Sequence, residues 1–505
     1  MSYEEVAMTI AELLSQAGIP VASAALGQQQ LATTPSGVFY DSREVVEGGV
    51  FVAVPGEKLD GSLFVDDARR RGATIAISEK EPPLKPLLPW VRVSDARAAL
   101  AALAASFYEH PSHTLLVIGV TGTNGKTTTT YLIESILTHS GYSTGRLSSI
   151  SNHAGSVQHE QCAVRTTPES PDVQAWLKVM SESNTDACVM EVSSHGLALR
   201  RVDQVKFSAG VFTNLTRDHL EFHGGMRGYF AAKSRLFEML PEGAPSVLNL
   251  DDSHGQKLAM AVDCPFTYGF DENADVAPTR LDLTSSGTRL EVRTPRGEMC
   301  LESTLVGKVS AYNVLAAAAT CVALDLPFRG IEDGVRALAG VPGRIQTVTE
   351  QEDDVTVIVD FAHTDDALRA LLEAVRCITT GQIVTVFGCG GDRDATKRPL
   401  MGAVAARLSD RIVVTSDNPR SEDASEIIAE IERGIRESQT PWVSVIDREE
   451  AISHAITEAT SGDLVVVAGK GHEQTQEIGE AVIPFDDATI ARSALLRRRS
   501  GFRAG

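Results

Sequence analysis

Short, continuous apolar runs alternate along this chain with segments whose apolar residues return every three to four positions. Runs of the first kind read as buried strands, and segments of the second kind as amphipathic helices. Gly49–Val54, Thr74–Ser78 and Trp90–Val93 are strand-like and Ala96–Tyr108 is helix-like, so the opening stretch predicts a small α/β unit. Pro111 interrupts. Leu115–Val120 then leads into a glycine-rich loop, and helical spacing follows over Thr127–Ser140 through Leu132, Ile133, Ile136 and Leu137. Further strands are predicted at Ala187–Val192, Ala209–Thr213 and Ser246–Leu250 with helical stretches between them, the pattern of a mostly parallel sheet covered by helices. Val341-Pro342-Gly343 marks a boundary. Beyond it, Val355–Val359, Ile383–Phe387, Arg411–Thr415 and Asp463–Ala468 predict a second strand–helix set, close in form to a dinucleotide-binding fold. No GxGxxG follows its first strand, so no nicotinamide or flavin site is expected.

Composition narrows the class without changing that picture. A chain of 505 residues is too long for one core, and roughly three domains are expected. The 43% hydrophobic and 22% charged content is that of a folded globular protein. The longest apolar runs are strand-length, so no membrane span is expected. The opening MSYEEVAMTI carries acidic residues where an export signal would be positive, which points to a cytoplasmic protein. Cysteines stand singly at 162, 188, 264, 300, 321, 377 and 389 with no zinc spacing, and reduced thiols are expected. A net charge of −21 disfavours a nucleic-acid partner but leaves room for local basic pockets. Arg497–Arg499 could be such a pocket, although a solvated helix end is the preferred reading.

The loop carries the first recognisable chemistry. In Gly119-Val-Thr-Gly-Thr-Asn-Gly-Lys-Thr-Thr128 a strand precedes and a helix follows. Gly122 and Gly125 let backbone N–H groups turn towards phosphate oxygens, and the helix N-terminus adds its dipole. Lys126 can reach the β- and γ-phosphates and the Thr127 hydroxyl can ligate Mg²⁺. The first glycine falls at 119, one place before the general phosphate-loop pattern puts it. Glu191 at one strand end and the polar segment Thr213–His219 at the next supply further oxygen and nitrogen groups for a magnesium nucleotide.

At this point the chain resembles the Mur ligase family. TGTNGKTTT at 121–129, MEVSSHGL at 190–197, FTNLTRDHLEFHG at 212–224 and AAKSRLF at 231–237 are similar to that family's central motifs, in order. DSREVVEGGVFVAVPGEKLDG at 41–61, TTPES at 166–170, GCGGDRDATKRPLMG at 388–402 and DNPRSE at 417–422 narrow the resemblance to members that add the third amino acid; AGKGHEQTQ at 468–476 and FDD at 485–487 continue it. Coverage is weakest over 1–35 and 271–300. The implied fold is α/β with three domains. These are a UDP-binding domain over 1–112, a central P-loop ATPase domain on a mostly parallel sheet over 113–345, and a Rossmann-like amino-acid-binding domain over 346–505.

The resemblance implies an ADP-forming amide ligase of peptidoglycan synthesis, serving cell-wall biogenesis, cell shape and cell division. It joins an amino acid to the D-glutamate end of UDP-MurNAc-L-Ala-D-Glu through an acyl phosphate. ATP and Mg²⁺ are the implied cofactors, and a monomer is expected. Gly122, Thr123, Asn124, Gly125, Lys126, Thr127, Thr128, Asn313, Arg344 and Asp360 match ATP contacts. Thr127, Glu191, His219 and Lys233, the last as a carbamate (N6-carboxylysine), match the metal set, and Lys126, Glu191, His219 and Lys233 are the implied catalytic residues. A carbamate turns a cation into an anion able to support Mg²⁺. Ser42, Thr166, Thr167, Ser193 and Arg201 match contacts to the UDP-sugar-peptide. Phe361 stands where a tyrosine is usual and Asp365 where a proline is common, a change able to alter the local backbone; Tyr312 beside Asn313 replaces a common phenylalanine.

DNPR at 417–420 resembles the version that accepts meso-diaminopimelate. Arg393, Asp417, Asn418, Pro419, Arg420, Gly469 and Glu473 are the implied amino-acid residues, with the two arginines clamping the distal carboxylate and Glu473 meeting the distal ammonium. Lysine or another diamino acid is the alternative substrate. A folylpolyglutamate synthetase lacks the N-terminal and DNPR segments, and a phosphate-loop NTPase switch or a non-catalytic nucleotide module is the remaining alternative. His363 is a candidate base for the incoming amine.

Overall fold

Every apolar run singled out by pattern becomes a strand, displaced by at most one residue at either end. The computed structural model describes residues 8–20, 27–56, 59–155, 157–163, 165–284, 287–350 and 352–502. Glu57 and Lys58 of the 41–61 stretch and the first seven residues of the N-terminal segment lie outside the described residues. The chain forms two compact units, Met1–Thr121 with Tyr142–Gly210 and Ala232–Ala244, and Gly122–Gly141 with Val211–Ala231 and Pro245–Gly505.

The first unit opens with a parallel sheet of β1 (Val38–Phe39), β2 (Val50–Ala53), β3 (Ile75–Ser78) and β4 (Trp90–Arg92), in that order. The helix Ala96–Phe107 buries Leu100 and Leu103 in its core, and the Asp95 side chain caps that helix by accepting from Ala98 N–H at 2.9 Å. Further along come β5 (Leu116–Thr121), β6 (Thr144–Leu147), β7 (Ser151–Ala154), β8 (Val157–Cys162) and β9 (Ala187–Glu191). β9 lies between β5 and β6 and runs parallel to both. Register pairs Val120 with Glu191 and Leu147 with Met190, so the loops leaving these three strands start level with one another. Gly119 sits inside β5, where a β-carbon would come within 2.8 Å of the Phe207 ring; this glycine is a packing residue of the strand. β10 (Ala209–Phe212) follows and is buried throughout.

In the second unit β11 (Ser246–Asn249) pairs in parallel with β12 (Pro265–Tyr268). β13 (Ala277–Thr284), β14 (Gly287–Thr294) and β15 (Gly297–Ser303) form an antiparallel meander that the pattern reading above does not foresee. Six strands then make one sheet: β16 (Gln346–Thr347), β17 (Thr356–Asp360), β18 (Ile383–Phe387), β19 (Arg411–Val414), β20 (Trp442–Ser444) and β21 (Leu464–Ala468), in the order β16-β17-β21-β18-β19-β20. All pairs except β16 with β17 are parallel. Alternate residues of β17 face opposite ways, Ile358 into a core with the helices Asp365–Arg376, Lys397–Leu408 and Ala424–Ile435, Val357 and Val359 into a core with Arg448–Glu458 and Asp487–Phe502. Burial on both faces explains why these strands read as unbroken apolar runs. A hairpin, β22 (Thr475–Ile478) and β23 (Ala481–Pro484), follows β21.

Asp360, Ala468, Phe387 and Val414 stand in one register row, so four loops leave the sheet side by side. A buried ion pair holds two of those loop roots. Arg448 donates to Asp487 through Nε at 2.8 Å and Nη2 at 2.7 Å, and to the carbonyls of Ser416 at 3.2 Å and Ala468 at 3.0 Å. The expected solvated helix end at Arg497–Arg499 is corrected. Arg498 bonds Asp354 at 2.8 Å with only 7% of its side chain exposed, Arg499 meets Asp353 and Glu350, and Arg497 donates to Ser453. Acidic residues at 350–354 absorb the charge that the sequence left unassigned.

Candidate active site

In the glycine loop, Gly122 has φ +148° and Gly125 has φ +85°. A β-carbon on Gly122 would lie 1.8 Å from Thr213 Oγ1, and one on Gly125 would lie 2.4 Å from Asn313 Oδ1, so neither position admits a side chain. The loop is fixed from outside. Thr123 N–H donates to Asn214 O and Asn124 N–H to Asn214 Oδ1, each at 2.9 Å, and Thr213 Oγ1 donates to Asn124 O at 2.6 Å. Thr123 Oγ1 lies 3.1 Å from the Tyr229 hydroxyl. The polar segment after β10 is therefore a brace for the loop. Lys126 folds its Nζ onto the carbonyls of Gly122 at 3.0 Å and Thr123 at 2.8 Å, at the mouth of the loop. The helix Lys126–His139 starts at Gly125, with Thr129 N–H donating to Gly125 O at 2.9 Å, so its N-terminus, the end that favours an anion, lies at the loop.

Asn313 and Arg344 come to the same loop, Asn313 Oδ1 at 3.4 Å from Thr129 Oγ1 and Arg344 Nη2 donating to Thr127 Oγ1 at 3.1 Å. The Arg344 guanidinium also stacks 4.5 Å over the Phe361 ring. Asp360 spends its carboxylate on the backbone, accepting from Ile345 N–H at 2.7 Å and Ala362 N–H at 2.8 Å. Burial pushes its carboxyl up from the ordinary range, against the pull of Arg344 and those two bonds. Asp365 opens the helix Asp365–Arg376, and Thr364 caps it. Proline and aspartate both suit a first helical position, and Asp365 takes that position here.

In the first unit Glu191 is 1% exposed at the end of β9. Its Oε1 accepts from Ser149 N–H at 2.8 Å and Oγ–H at 3.0 Å. Thr167 Oγ1 sits 2.9 Å from Glu191 O and 3.0 Å from Ser193 Oγ, and Ser193 Oγ accepts from Gly196 N–H at 3.0 Å. Arg201 donates to Thr167 O at 3.1 Å and pairs with Glu169 at 2.9 Å. Thr167, Ser193 and Arg201 thus form one cluster beside Glu191, with Thr166 next to it in sequence. Ser42 is buried elsewhere in this unit and donates to Asp67 at 2.9 Å. Lys233, in the helix Met226–Glu238, is 1% exposed.

The second unit holds a cavity of about 230 Å³ over the loops that leave β17, β18, β19 and β21. Of the implied amino-acid residues, Arg393, Asp417, Asn418, Arg420, Gly469 and Glu473 line it, and Pro419 does not. Positive Arg217, Arg393, Lys397 and Arg420 face negative Asp218, Glu221, Asp365, Asp394, Asp417 and Glu473, a wall suited to a small ligand bearing both ammonium and carboxylate groups. Arg420 is held at φ +53°, its Nε on Glu477 at 2.7 Å and its Nη1 on Gly391 O at 2.9 Å. His363 also lines the cavity, with Nδ1 2.9 Å from Phe361 O. That bond places the proton on Nδ1 and leaves Nε2 as the acceptor. Burial, then Lys397, push the imidazole below its ordinary value, with Asp218 pulling the other way. Burial raises the Asp218 carboxyl, but His219, His363, Lys397 and Lys126 outweigh it and the net direction is down. His219 lies 3.3 Å from Asp218.

The sequence reading missed Lys397, Asp218 and the fully buried Lys470. It also missed Arg398, which pairs with Glu422 at 2.8 Å and Glu430 at 3.0 Å and donates to Gly390 O. Each lies in or beside a quoted motif, but a charged residue there looks like any surface residue until its partners are known. None of the six described cysteines forms a disulfide, and among the described residues no helix is long and apolar enough to cross a membrane.

Family models match three successive stretches: "Mur ligase family, catalytic domain" over 34–108, "Mur ligase middle domain" over 120–321 and "Mur ligase, glutamate ligase domain" over 343–471. A Gloeobacter violaceus protein described as UDP-N-acetylmuramoyl-L-alanyl-D-glutamate–2,6-diaminopimelate ligase is 44% identical over 98% of this chain and 99% of its own. A protein of the same description from Alkaliphilus metalliredigens is 43% identical over 90% of this chain and 92% of its own. A solved structure of a ligase with that description superposes with a TM-score of 0.68 at 32% identity, covering 98% of this chain and 99% of that one.

Proposed function

Because this chain belongs to the Mur ligase family, we propose that it is the ligase adding meso-diaminopimelate to UDP-MurNAc-L-Ala-D-Glu, with ATP cleaved to ADP and phosphate. The observation that carries the reading is the cavity in which Arg393, Asn418, Arg420, Gly469 and Glu473 meet. Its mixed charges match a ligand with two ammonium and two carboxylate groups, and relatives matching nearly the whole chain carry that activity in their descriptions.

A carboxylate is a poor acyl donor because its leaving group would be oxide. The D-glutamate carboxylate therefore takes the γ-phosphoryl group of ATP, releasing ADP. The amine of the incoming amino acid then attacks the acyl carbon and phosphate leaves. Lys126 and the N–H groups at the start of its helix stabilise the charge on the transferring phosphoryl group. Arg344 orients Thr127. His363, neutral and with Nε2 as acceptor, takes the proton from the amine. Thr167, Ser193 and Arg201 bind the sugar-peptide, with Ser42 on the uridine side.

The residues present suit a magnesium nucleotide. Glu191 is a buried carboxylate in register with the root of the loop, and hard oxygen donors are what Mg²⁺ takes. Thr127, Glu191, His219 and Lys233 as a carbamate would hold it, and it would supply positive charge to offset that of the phosphates. Nucleotide-linked substrates and ATP support a cytoplasmic location.

An ADP-release assay with the UDP-dipeptide and, in turn, meso-diaminopimelate, L-lysine and L-ornithine tests the reading. Release with diaminopimelate is expected. Release with lysine alone would overturn the specificity, and release without any amino acid would favour a nucleotide switch.

A further inference from the structure

We propose that Lys470 is a positioning residue that holds both ends of the amino-acid pocket in their receiving arrangement. The proposal rests on the diamino-acid reading above. Lys470 is fully buried and is not among the residues that line the cavity, so it acts through its neighbours. Its Nζ donates to Asn418 Oδ1 and to Glu473 Oε2, each at 2.9 Å.

Those two bonds decide how Asn418 faces. Its Oδ1 accepts from Lys470 and from Glu477 N–H at 3.1 Å, while its Nδ2 donates to Glu473 Oε2 at 3.0 Å. A reversed amide would set Nδ2 against two donors and an oxygen against a carboxylate. Lys470 therefore fixes the amide in one orientation. Glu473 Oε2 receives two donors and is immobilised, which leaves its other oxygen to meet a ligand ammonium.

The same network reaches the opposite end of the ligand. Asn418 holds the backbone of Glu477, and the Glu477 carboxylate holds Arg420 Nε at 2.7 Å. One buried ammonium thus sets an acceptor for the ligand's ammonium and a donor for its carboxylate. Neither effect is open to an exposed lysine, whose flexible stem orders nothing.

The test uses the full chain in the ADP-release assay with each substrate varied in turn. Lys470→Met is expected to raise the KM for meso-diaminopimelate by about tenfold or more, the scale of a lost hydrogen bond to a charged group. The KM values for ATP and the UDP-dipeptide stay within about twofold of wild type, the size of change that leaves an independent site unaffected. Lys470→Arg keeps the buried charge, but its planar head cannot reach both acceptors from one point. It should raise the diaminopimelate KM severalfold at an unchanged melting temperature, and it serves as the reporter should the methionine variant not fold. An unchanged diaminopimelate KM in a folded variant, or a parallel rise in all three KM values, overturns the proposal. A wild-type chain inactive with every diamino acid would instead remove the functional reading.

Discussion

The phosphate loop and the amino-acid pocket are both built where parallel strands end, but from different material. Residues 121–128 form the loop from one unbroken stretch, and the groups proposed to meet a phosphate are backbone N–H groups and a single lysine. The pocket draws on four strand ends distant in sequence and aligned by register together with the 217–221 segment after β10, and charged side chains line it. A backbone site needs only that the chain take a particular course. A side-chain site needs each head group held by a partner, and here Glu477 holds Arg420 while Lys470 holds Asn418 and Glu473. The loop should therefore fail through a few positions and fail completely, whereas the pocket should degrade in steps.

That contrast is open to test, and the largest effect should come from the loop. Lys126→Ala is expected to lower kcat for ADP release by roughly 10³-fold, the loss of a charge-stabilising donor at a phosphoryl group, with the circular dichroism spectrum unchanged. Retained activity would show that the loop does not grip the transferring phosphate. Arg420→Ala should raise the KM for meso-diaminopimelate by about 10²-fold while isothermal titration finds UDP-dipeptide binding intact, since a buried carboxylate of the ligand loses its fork. Equal loss of both would mean that the pocket is not modular.

A third effect depends on pH. A histidine held below its ordinary value of 6.5 is protonated only under more acidic conditions, so a base at His363 stays active down to that lower pH. The acid limb of the kcat profile is expected below pH 6.5, and His363→Gln should abolish that limb and cost about 10²-fold in kcat. A limb above 6.5 would exclude His363. The smallest effect belongs to Ser193→Ala, which removes the cap on the short helix Ser194–Ala198 and should destabilise the fold by about 1 kcal/mol in a denaturant melt.

Much of the architecture was legible because burial on both faces writes strands as unbroken apolar runs, as at Leu464–Ala468. The meander β13–β15 was not legible in the same way. Its strands alternate, with Leu290 and Val292 buried and Arg289 and Arg293 exposed, and the turn at Thr294–Gly297 carries a proline and a glycine as its signal. Among site residues, Gly122, Gly125 and Lys126 were plain because a contiguous motif carries its own context. Arg498 was misjudged as solvated because its partner Asp354 lies 144 positions away.

By itself the sequence determined the buried parallel strands, the glycine-rich loop motif and the residue types that follow those strands. These are local matters: periodicity, turn chemistry and the spacing of a motif act over a few neighbours and need no knowledge of the rest of the chain. Only the tertiary structure decided that Gly119 packs a strand instead of opening the loop, that Pro419 stays off the cavity wall, and that Lys470 binds Asn418 and Glu473 together. Each of those depends on which strands become neighbours and in what register, and a buried charge takes its meaning from the partner that the register brings to it.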